Sequence, residues 1–502
     1  MQTETQKKRN ELYRKLRKLR YYQHALGILN FDFETIAPKN AKPDQGATMS
    51  FFANEAFKLQ NSRRMKELIV YLHEHREELD PLDRRLSDLL YDSYEKQKNV
   101  TPADDLRWSN IYNKAYMDWE NAKRAADFSL FSDSLAAVIE AGREQVALRE
   151  NKLPDLYDNF LNDYERGVLS DELDRFFDEL KDGLRSLIAR IRASKHKIRT
   201  DFLSRKVPIP KQEAFSDCLL RLNGYDFDRG AITTTEHPFT SDIAENDARV
   251  TTHYHEDMVL SNMYSVIHEG GHAIFMQNEP EEDYAHFIND EITNGMHESV
   301  SRFYENVIGR SEEYIHLIYP KFHELFAEEL GDVSERELYE AVNLVEPSLI
   351  RTEADEVTYG LHIVIRYEME KKICSGELPV EAIPDAWSAL YDEYLGVRPR
   401  NDAEGVLQDV HWTGGIGYFP SYALGNAYNA MYLQKIEREM DFRGAIREGR
   451  FSEIKEWMRK NVFAEANRLS PKEWLLALCG RPLTAKDFLA YLERKYTDIY
   501  RL

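Results

Sequence analysis

Hydrophobic positions along most of the chain recur with the period of an α-helix. Good helix formers carry apolar residues three or four positions apart at 172–198 and 452–469, a spacing that predicts helices. Near the N-terminus, Leu12, Leu16 and Leu19 fall on one side of such a helix, which predicts an amphipathic surface helix. We therefore expect a mainly α-helical fold.

Alternating, β-branched segments are few. The best candidates for strands are TTTEHPFT and ARVTTHYH within 233–255, and they predict a short hairpin or a very small sheet. No Pro/Gly/Ser-rich linker, internal repeat or low-complexity run divides the chain, so nothing marks a domain boundary. We expect a single domain over residues 1–502, whose helices can form two lobes around a cleft.

The charge of the chain narrows the classes of partner. Its 502 residues include 66 Lys and Arg against 88 Asp and Glu, a formal net charge of −22. Such an acidic surface repels phosphate backbones and anionic lipids, so we expect neither nucleic acid nor a membrane as a partner. Solubility is the plain consequence of the same charge.

The cysteines and the N-terminal segment indicate the compartment. Cys218, Cys374 and Cys479 are widely spaced and odd in number, which argues against a disulfide framework and against a sulfur-ligated metal. The chain has no run of eighteen apolar residues that could span a bilayer. Its basic N-terminal segment lacks the apolar stretch of a signal peptide. We expect a cytoplasmic protein.

The stretch VIHEGGHAIF (266–275) has the apolar pattern of a buried helix, yet it contains Gly270 and Gly271. Each glycine in a helix interior costs about 1 kcal/mol relative to alanine, so a pair of them between His268 and His272 needs a reason. A glycine lets another piece of backbone, or a substrate, come close where a side chain would intrude. We expect such a close approach at this helix.

The residues around these glycines fit a metal centre. His268 and His272 are four apart, so both imidazoles project from one helix face and can occupy adjacent corners of a zinc tetrahedron. Glu269 adjoins the first histidine, where it can take a proton from a water molecule that the metal activates and later pass it to the departing amine. The alternative is a pair of hydrogen-bonded core histidines in a helix that crosses another helix closely.

A catalytic zinc ion needs a third protein ligand and an open fourth position. In the segment 289–306, Asn294 and Gly295 predict the start of a new helix, and Glu298 falls in its first turn. We expect Glu298 to be the third ligand, because the chain between it and His272 is long enough to return to the metal.

Four residues near these ligands have less specific patterns. His297 and Asp290 can orient the ligating groups through hydrogen bonds, and a surface or capping role fits each of them equally well. His253 and His255 are two apart, which on a strand places both on one face and allows a second metal. Their spacing alone does not require one.

Six motifs occur in an order that resembles a known family. They are HPF (237–239), DARVT (247–251), HEGGH (268–272), HES (297–299), IRTEAD (350–355) and GVLQDVHW (405–412). In this order they resemble the carboxypeptidase Taq family of zinc metallocarboxypeptidases, and we expect the resemblance to cover the whole chain. One departure is Phe31 in FDFETIAP (31–38), where a tryptophan is expected; it alters packing and leaves the chemistry untouched.

The resemblance implies a large, saddle-shaped helical body with a deep central groove, similar to neurolysin and angiotensin-converting enzyme. It implies one zinc ion per chain, replaceable by cobalt, bound by His268, His272 and Glu298, with Glu269 as general base. It also implies release of single C-terminal residues from peptides, with broad specificity, by a cytoplasmic homodimer. The exopeptidase direction and the dimer follow from the resemblance alone.

A carboxypeptidase has to recognise a free carboxylate beside the scissile bond. The planar fork of an arginine suits this because it forms two parallel hydrogen bonds. Arg351 in IRTEADEVTY is the first candidate, and Arg249 is the second. The alternative for either residue is a structural ion pair, which is natural in a chain with 88 acidic residues.

The oxyanion formed during hydrolysis needs a hydrogen-bond donor opposite the metal. His411 is one candidate; Tyr418 and Tyr422 are others, because the glycine-rich loop before them can bring them to the site. Resemblance to related zincins favours Tyr422, although most of the 29 tyrosines are expected to be ordinary aromatics. His237 can line the pocket for the C-terminal residue, or it can belong to a turn stabilised by Pro238.

Two other functions share parts of this pattern. A zinc oligopeptidase that cuts internally would have the same metal site, but its groove would be open at both ends, without a cationic anchor close to the metal. A catalytically silent helical binding protein would retain the fold. Intact Glu269 argues against that protein, because a silent relative needs no general base. A metallocarboxypeptidase is the function that we expect.

Overall fold

The structure, a computed structural model, describes residues 2–289 and 291–502. Helices make up most of this part of the chain, so the mainly α-helical fold predicted from the periodicity is confirmed. In chain order the helices are α1 (Glu4–Thr35), α2 (Lys42–Gln60), α3 (Arg63–Glu74), α4 (Pro81–Gln97), α5 (Pro102–Ala125), α6 (Ser129–Leu148), α7 (Leu156–Tyr164), α8 (Ser170–Ala193), α9 (Ile209–Asn223), α10 (Val259–Met276), α11 (Glu281–Ala285), α12 (Asn294–Arg302), α13 (Glu312–Leu325), α14 (Ala327–Leu330), α15 (Glu335–Val342), α16 (Tyr359–Ser375), α17 (Ile383–Leu395), α18 (Pro420–Glu439), α19 (Phe442–Arg447), α20 (Phe451–Met458), α21 (Ala464–Ala466), α22 (Pro471–Cys479) and α23 (Lys486–Tyr500).

The segments with the clearest periodicity are helical, with bounds that differ slightly from the pattern. The apolar pattern at 172–198 forms α8, which ends earlier because Ser194 adopts an extended backbone conformation. The pattern at 452–469 forms α20, a π-helical segment (Arg459–Phe463) and α21. A second π-helical segment (Phe303–Ile308) continues α12.

The β element is a sheet of three short strands, β1 (Ile232–Thr234), β2 (Thr240–Ala244) and β3 (Asp247–Thr252), in the spatial order β1-β3-β2. β2 and β3 form an antiparallel hairpin with Thr240 opposite Val250, whereas β1 runs parallel to β3. The predicted small sheet is confirmed. Its strands are shorter than the two candidate segments because a bend at 236–237 separates β1 from β2.

Buried apolar side chains form two clusters. The larger cluster includes α10, α12 and most of the chain after α4. The smaller cluster joins α1, α3 and α4 through side chains such as Leu12, Leu19 and Met65. The leucines that predict an amphipathic N-terminal helix therefore lie on the face of α1 that packs against its neighbours. A single domain with two lobes stays a prediction.

A groove of about 930 Å³ separates α1, α3 and α4 from the body that carries the sheet. One wall includes Arg20 of α1 and Lys66 of α3, and the other includes Asp242 of β2 and Asn294 of α12. The second wall is continuous with the residues of the predicted metal centre, since β2 and α12 both contribute to that centre as well.

The structure also bears on the cysteines and on membrane-spanning segments. Cys218, Cys374 and Cys479 are all free, and Cys374 is buried. Over residues 2–289 and 291–502, no helix is both long enough and apolar enough to cross a bilayer.

Candidate active site

The two glycines of α10 mark the points where other helices cross it. A β-carbon on Gly271 would lie 2.8 Å from the Cα of Ser301 in α12. A β-carbon on Gly270 would lie 2.6 Å from Cδ2 of Leu220 in α9. The glycines therefore let facing helices come close to the backbone of α10, which is the close approach predicted from their presence in a buried helix.

Glu298 reaches the histidines from α12. This helix begins at Asn294, as the Asn-Gly pair predicts, and Glu298 lies in its second turn and not in the first. α18 crosses α12 at the same point, because a β-carbon on Gly425 would lie 2.9 Å from Cβ of Glu298. Close crossings at Gly271 and Gly425 thus hold the helix that carries this carboxylate between α10 and α18.

His268, His272 and Glu298 bring three potential ligand atoms together. Oε2 of Glu298 lies 3.4 Å from Nε2 of His272 and 3.7 Å from Nε2 of His268, and the three atoms lie within 4.8 Å of one another. A tetrahedral zinc ion with bonds near 2.1 Å separates its ligand atoms by about 3.4 Å. The three side chains therefore fit the spacing of a single metal ion.

A second metal at His253 and His255 is not supported. Both residues lie beyond the end of β3, so the strand geometry on which that possibility rested does not apply. Their rings are 5.0 Å apart, and Nε2 of His253 lies 3.1 Å from the hydroxyl of Ser261. Within the described residues, no third ligating side chain joins them.

Asp80, Asp83 and His286 also bring three ligand atoms within reach of one another. Asp83 already accepts hydrogen bonds from the guanidinium of Arg9, at 2.8 Å, and from the hydroxyl of Tyr13. Protein donors therefore satisfy its carboxylate, and the group does not resemble a metal site.

Both histidines of the metal helix have partners on the side away from the metal position. Nδ1 of His268 lies 2.9 Å from Oε2 of Glu305, and Nδ1 of His272 lies 2.6 Å from Nδ1 of His297. Such partners fix the ring orientation and tautomer of a ligating histidine. His297 thus lies where an orienting residue was expected, and Asp290 lies outside the described residues. Glu305 was not predicted, although its position two helical turns after the third ligand was a usable signal.

Arg302 balances the charge of the site. Its Nε donates to Oε1 of Glu298 at 2.8 Å, and its Nη1 lies 3.3 Å from Oε2 of Glu305. Burial opposes ionisation of Glu298, but Arg302 and the two histidines hold the pKa of this carboxyl well below its usual range. Burial also opposes protonation of His268, and the two carboxylates outweigh it and raise its pKa to about 9. The surroundings thus keep Glu298 ionised, as a metal ligand has to be.

Glu269 lies beside the first histidine and is held by the sheet. The hydroxyl of Thr240, at the start of β2, donates to Oε2 of Glu269 at 2.6 Å and lies 2.9 Å from the carbonyl oxygen of the same residue. This contact orients the carboxylate, which is half-buried. The edge of the small sheet therefore positions the residue expected to act as general base.

Arg351 is 6% exposed and lies in a dense polar cluster. Its Nε donates to Oδ1 of Asp409 at 2.9 Å, and its Nη1 donates to the hydroxyl of Tyr359 at 3.0 Å. Its guanidinium lies 4.8 Å from the ring centre of Tyr422. The ring centre of Tyr359 lies 4.3 Å from the guanidinium of Arg302. A continuous series of contacts, not predicted from the sequence, therefore joins Arg351 to the metal ligands.

His411, Tyr418 and Tyr422 lie together beside Arg351. Nε2 of His411 lies 3.2 Å from the hydroxyl of Tyr422, and the ring centres of the two tyrosines are 5.4 Å apart. Burial and the guanidinium of Arg351 lower the pKa of His411 to about 4, so its imidazole is neutral at neutral pH. Burial and the charge of Glu298 raise the pKa of Tyr418. Its phenol is therefore protonated and available as a donor near the metal ligands.

Arg249 and His237 belong to the sheet side of the site. Arg249 donates to both carboxylate oxygens of Asp247, at 2.8 and 2.7 Å, and its guanidinium lies 5.0 Å from the ring centre of Phe31. His237 is exposed, and its carbonyl oxygen accepts a hydrogen bond of 2.8 Å from the hydroxyl of Thr235. These contacts describe Arg249 as an ion-paired residue and His237 as part of a turn.

Comparison with known proteins decides the family. The family model described as carboxypeptidase Taq (M32) metallopeptidase matches residues 11–496. The chain belongs to this family. It is 38% identical over 497 residues to carboxypeptidase 1 of Bacillus subtilis, covering 98% of both chains. It is 36% identical to thermostable carboxypeptidase 1 of Thermus thermophilus, covering 95% of this chain and 96% of the relative.

The fold is shared with solved members of the M32 family. The crystal structure of the M32 carboxypeptidase from Deinococcus radiodurans R1 has a TM-score of 0.95 at 30% identity, and the match covers 99% of this chain and 100% of that one. Membership of the M32 family makes the chain a metallocarboxypeptidase, a peptide hydrolase that depends on a metal ion. The family, fold class and enzyme class expected from the sequence are confirmed, and His268, His272 and Glu298 are residues that can hold the ion.

Proposed function

We propose that the metal ion is zinc, one per chain and replaceable by cobalt, and that His268, His272 and Glu298 bind it. The observation that supports this proposal is the convergence of two imidazole nitrogens and one carboxylate oxygen at the spacing of a tetrahedral ion. Three protein ligands leave a fourth position for water or substrate. When bound, zinc supplies a Lewis acid that polarises the scissile carbonyl and lowers the pKa of water.

Glu269 moves the proton in this proposal. Its carboxylate takes a proton from the attacking water molecule and then gives it to the departing amine. Thr240 occupies Oε2 at 2.6 Å, which leaves the other carboxylate oxygen for the proton. Because Thr240 belongs to β2, the same strand that lines the groove also fixes the general base.

A peptide substrate can lie in the groove along β2. The N–H of Thr251 donates to the carbonyl of Phe239 at 2.8 Å, and the alternation of an antiparallel ladder then directs the backbone groups of Thr240 and Asp242 to the other edge. Asp242 also lines the groove. An extended peptide adds to such an edge through main-chain hydrogen bonds that do not depend on sequence, which suits release of C-terminal residues with broad specificity.

Arg351 is the proposed anchor for the free C-terminal carboxylate. It is almost fully buried, it lies beside Tyr422, and contacts through Tyr359 connect it to Arg302 next to the metal ligands. Burial strengthens a charge-assisted hydrogen bond to a carboxylate. Arg249 remains the second candidate. Both arginines are already paired with an aspartate, Arg351 with Asp409 and Arg249 with Asp247, so this pairing does not distinguish them.

Tyr422 is the proposed donor to the oxyanion. Its hydroxyl lies 3.2 Å from Nε2 of His411, and a neutral imidazole in this position orients the phenol. Tyr418 is the alternative donor, since its ring packs against Tyr422 and its pKa responds to Glu298. His237, which lies in an exposed turn, is the proposed contact for the C-terminal side chain.

We further propose a cytoplasmic homodimer that acts on peptides, with neither nucleic acid nor a membrane as a partner. Three free thiols suit a reducing compartment. No side chain of α2 is buried, and Ile36, Phe51 and Phe57 beside or on this helix are exposed. Apolar surface of this kind marks protein interfaces. The face formed by α1 and α2 is therefore the proposed contact with a second copy, and Phe51→Lys should shift sedimentation from dimer to monomer.

The test of the activity uses a decapeptide and its C-terminally amidated twin. The zinc-loaded protein is incubated with each peptide, products are followed by mass, and the Glu269→Gln variant is the blank. We expect a ladder of single C-terminal losses from the free acid, abolished by amidation and by the variant. Internal cuts that ignore amidation would indicate an oligopeptidase, and no cleavage of either peptide would indicate a silent scaffold.

A further inference from the structure

Glu370 of α16 is a buried carboxylate that pairs with neutral donors. It is 1% exposed. Its Oε1 accepts a hydrogen bond of 3.0 Å from Nε1 of Trp412, and its Oε2 accepts bonds from the hydroxyl of Tyr157 and the N–H of Gly417, at 3.0 and 3.3 Å. Taking a carboxylate out of water is costly, and apolar residues of similar volume often serve stability better. This position therefore suggests a task other than stability.

The three donors come from two separate parts of the fold. Tyr157 lies in α7, whereas Trp412 and Gly417 bracket the loop that leads into α18. Gly417 has a φ of +104°, and a β-carbon on it would lie 2.8 Å from the carbonyl carbon of Phe160 in α7. The loop thus passes against the backbone of α7 at a point where Glu370 accepts hydrogen bonds from both segments.

The residue after Gly417 is Tyr418, which belongs to the proposed oxyanion cluster. Its ring centre lies 5.2 Å from that of His411 and 5.4 Å from that of Tyr422. It also lies 5.2 Å from the ring centre of Tyr164, the last residue of α7. A shift of the loop at Gly417 would therefore move the aromatic cluster relative to the metal ligands.

We propose that Glu370 is a positioning residue for hydrolysis, because it fixes the loop at Trp412 and Gly417 and thereby places His411, Tyr418 and Tyr422 opposite the metal. This inference rests on the proposed role of those three residues as oxyanion donors. Burial raises the pKa of Glu370 to about 7, which agrees with a carboxyl kept in the interior for a purpose other than stability.

Above its pKa of about 7, Glu370 is a carboxylate, and both of its oxygens then only accept hydrogen bonds, as the donors around it require. In Glu370→Gln, one end of the amide is an NH₂ group that cannot accept a hydrogen bond. The indole of Trp412 and the N–H of Gly417 can only donate, and they lie at opposite oxygens. In the variant, either the indole N–H of Trp412 or the N–H of Gly417 therefore faces the NH₂ group of the amide, which is also a donor. If Trp412→Phe removes the indole donor, the amide oxygen is free to face Gly417.

The experiment is a double-mutant cycle of Glu370→Gln and Trp412→Phe on the zinc-loaded enzyme. For each protein, kcat and KM are measured with the free-acid decapeptide, and the zinc content is determined. Displacement of catalytic groups by about 1 Å costs about 10²-fold in rate, so we expect Glu370→Gln to lower kcat by about 10- to 100-fold. We expect KM to change by less than about threefold and zinc to remain at one per chain. The reason is that the oxyanion donors His411, Tyr418 and Tyr422 act on the transition state.

The control is Glu368→Gln on the same helix. Glu368 contacts Nζ of Lys181 and the hydroxyl of Tyr394, both at 2.8 Å, away from the loop, and its variant should retain the wild-type kcat. In the Trp412→Phe background, Glu370→Gln should lower kcat by less than about threefold. A loss this much smaller than the loss in the wild-type background means that the effects of the two substitutions are coupled.

Two outcomes would overturn the inference: an unchanged kcat in Glu370→Gln, or additive losses in the double variant accompanied by loss of zinc or a raised KM. Additive losses would mean a structural role only. Absence of C-terminal release by both the wild type and the Glu368→Gln control would instead contradict the proposed function, so the two failures can be told apart.

Discussion

Gly271 of α10 and Ser301 of α12 approach each other so closely that a β-carbon on the glycine would lie 2.8 Å from the serine Cα. This contact joins the helix that carries both histidines to the helix that carries Glu298. The close approach explains why a buried helix accepts a glycine at a cost of about 1 kcal/mol. The distance between the histidines and the third ligand thus depends on Gly271, which is not itself a metal ligand.

Gly271→Ala should weaken both folding and metal binding. The added methyl group gains about 1 kcal/mol in helix propensity, but overpacking against the backbone of α12 costs about 1–3 kcal/mol and displaces Glu298. We expect a lower Tm for the metal-free protein and weaker zinc binding in a chelator competition. Gly271→Leu should abolish activity.

The matched control is Gly46→Ala in α2, where a β-carbon would meet nothing within 4 Å. That variant should be neutral or more stable by up to about 1 kcal/mol. A Gly271→Ala protein with unchanged Tm and zinc affinity would show that the contact does not set the ligand geometry.

Glu305→Gln should lower zinc affinity without removing a metal ligand. Nδ1 of His268 loses a charged partner at 2.9 Å, and loss of such a partner typically costs about 10- to 100-fold in metal affinity. The dissociation constant can be measured by competition with a chromogenic chelator. Glu324→Gln, at an exposed site in α13, is the control; equal affinities in the two variants would contradict the orienting role of Glu305.

Arg351→Lys should reduce hydrolysis of peptides that have a free C-terminal carboxylate. Lysine retains the charge but loses the planar fork, and a lost charge-assisted hydrogen bond of about 1.5–3 kcal/mol corresponds to about 10- to 100-fold in kcat/KM. Arg249→Lys should change kcat/KM by less than about threefold. The reverse order of the two effects would transfer the anchor to Arg249.

Two buried carboxyls should make the protein less stable as the pH rises towards neutral. Burial raises the pKa of Glu165 and of Glu370 from 4.5 to about 7. The folded state therefore holds these protons more tightly than the unfolded state, and the free energy of unfolding falls as the pH rises from about 4.5 to about 7. A variant that cannot ionise at one of these positions escapes part of this loss.

Glu165→Gln tests that pH dependence, since its amide oxygen can still accept from the N–H of Gly295. The stability of the variant relative to the wild type, measured by urea unfolding of the metal-free protein, should be more favourable at pH 8 than at pH 5. Glu328→Gln on the surface should show no such dependence. The same stability difference at both pH values would mean that Glu165 does not titrate in this range.

The sequence was sufficient to predict the helical fold and the three residues that converge on the metal position. The reason is that these features are local or recur in ordered motifs. Helical periodicity places His268 and His272 on one face, and an Asn-Gly pair starts the helix of Glu298. Glu298 was predicted in the first turn of α12 and lies in the second. The pattern that starts a helix does not specify how far along it the contact with α10 occurs.

The supporting residues could not be predicted, because their roles depend on contacts between distant parts of the chain. Thr240 holds Glu269 only because β2 packs against α10. Only the folded protein brings Tyr359 into contact with both Arg302 and Arg351. No periodicity in the sequence encodes such contacts. Glu305 is the exception, because its position two helical turns after Glu298 is a signal that the sequence does contain.

Anomalous diffraction at the zinc edge, from crystals of the zinc-loaded protein, tests the proposed metal centre most directly. We expect one strong peak per chain, with Nε2 of His268, Nε2 of His272 and a carboxylate oxygen of Glu298 about 2.0–2.2 Å from it. A peak at any other group of side chains, or zinc bound without Glu298, would contradict the proposed centre.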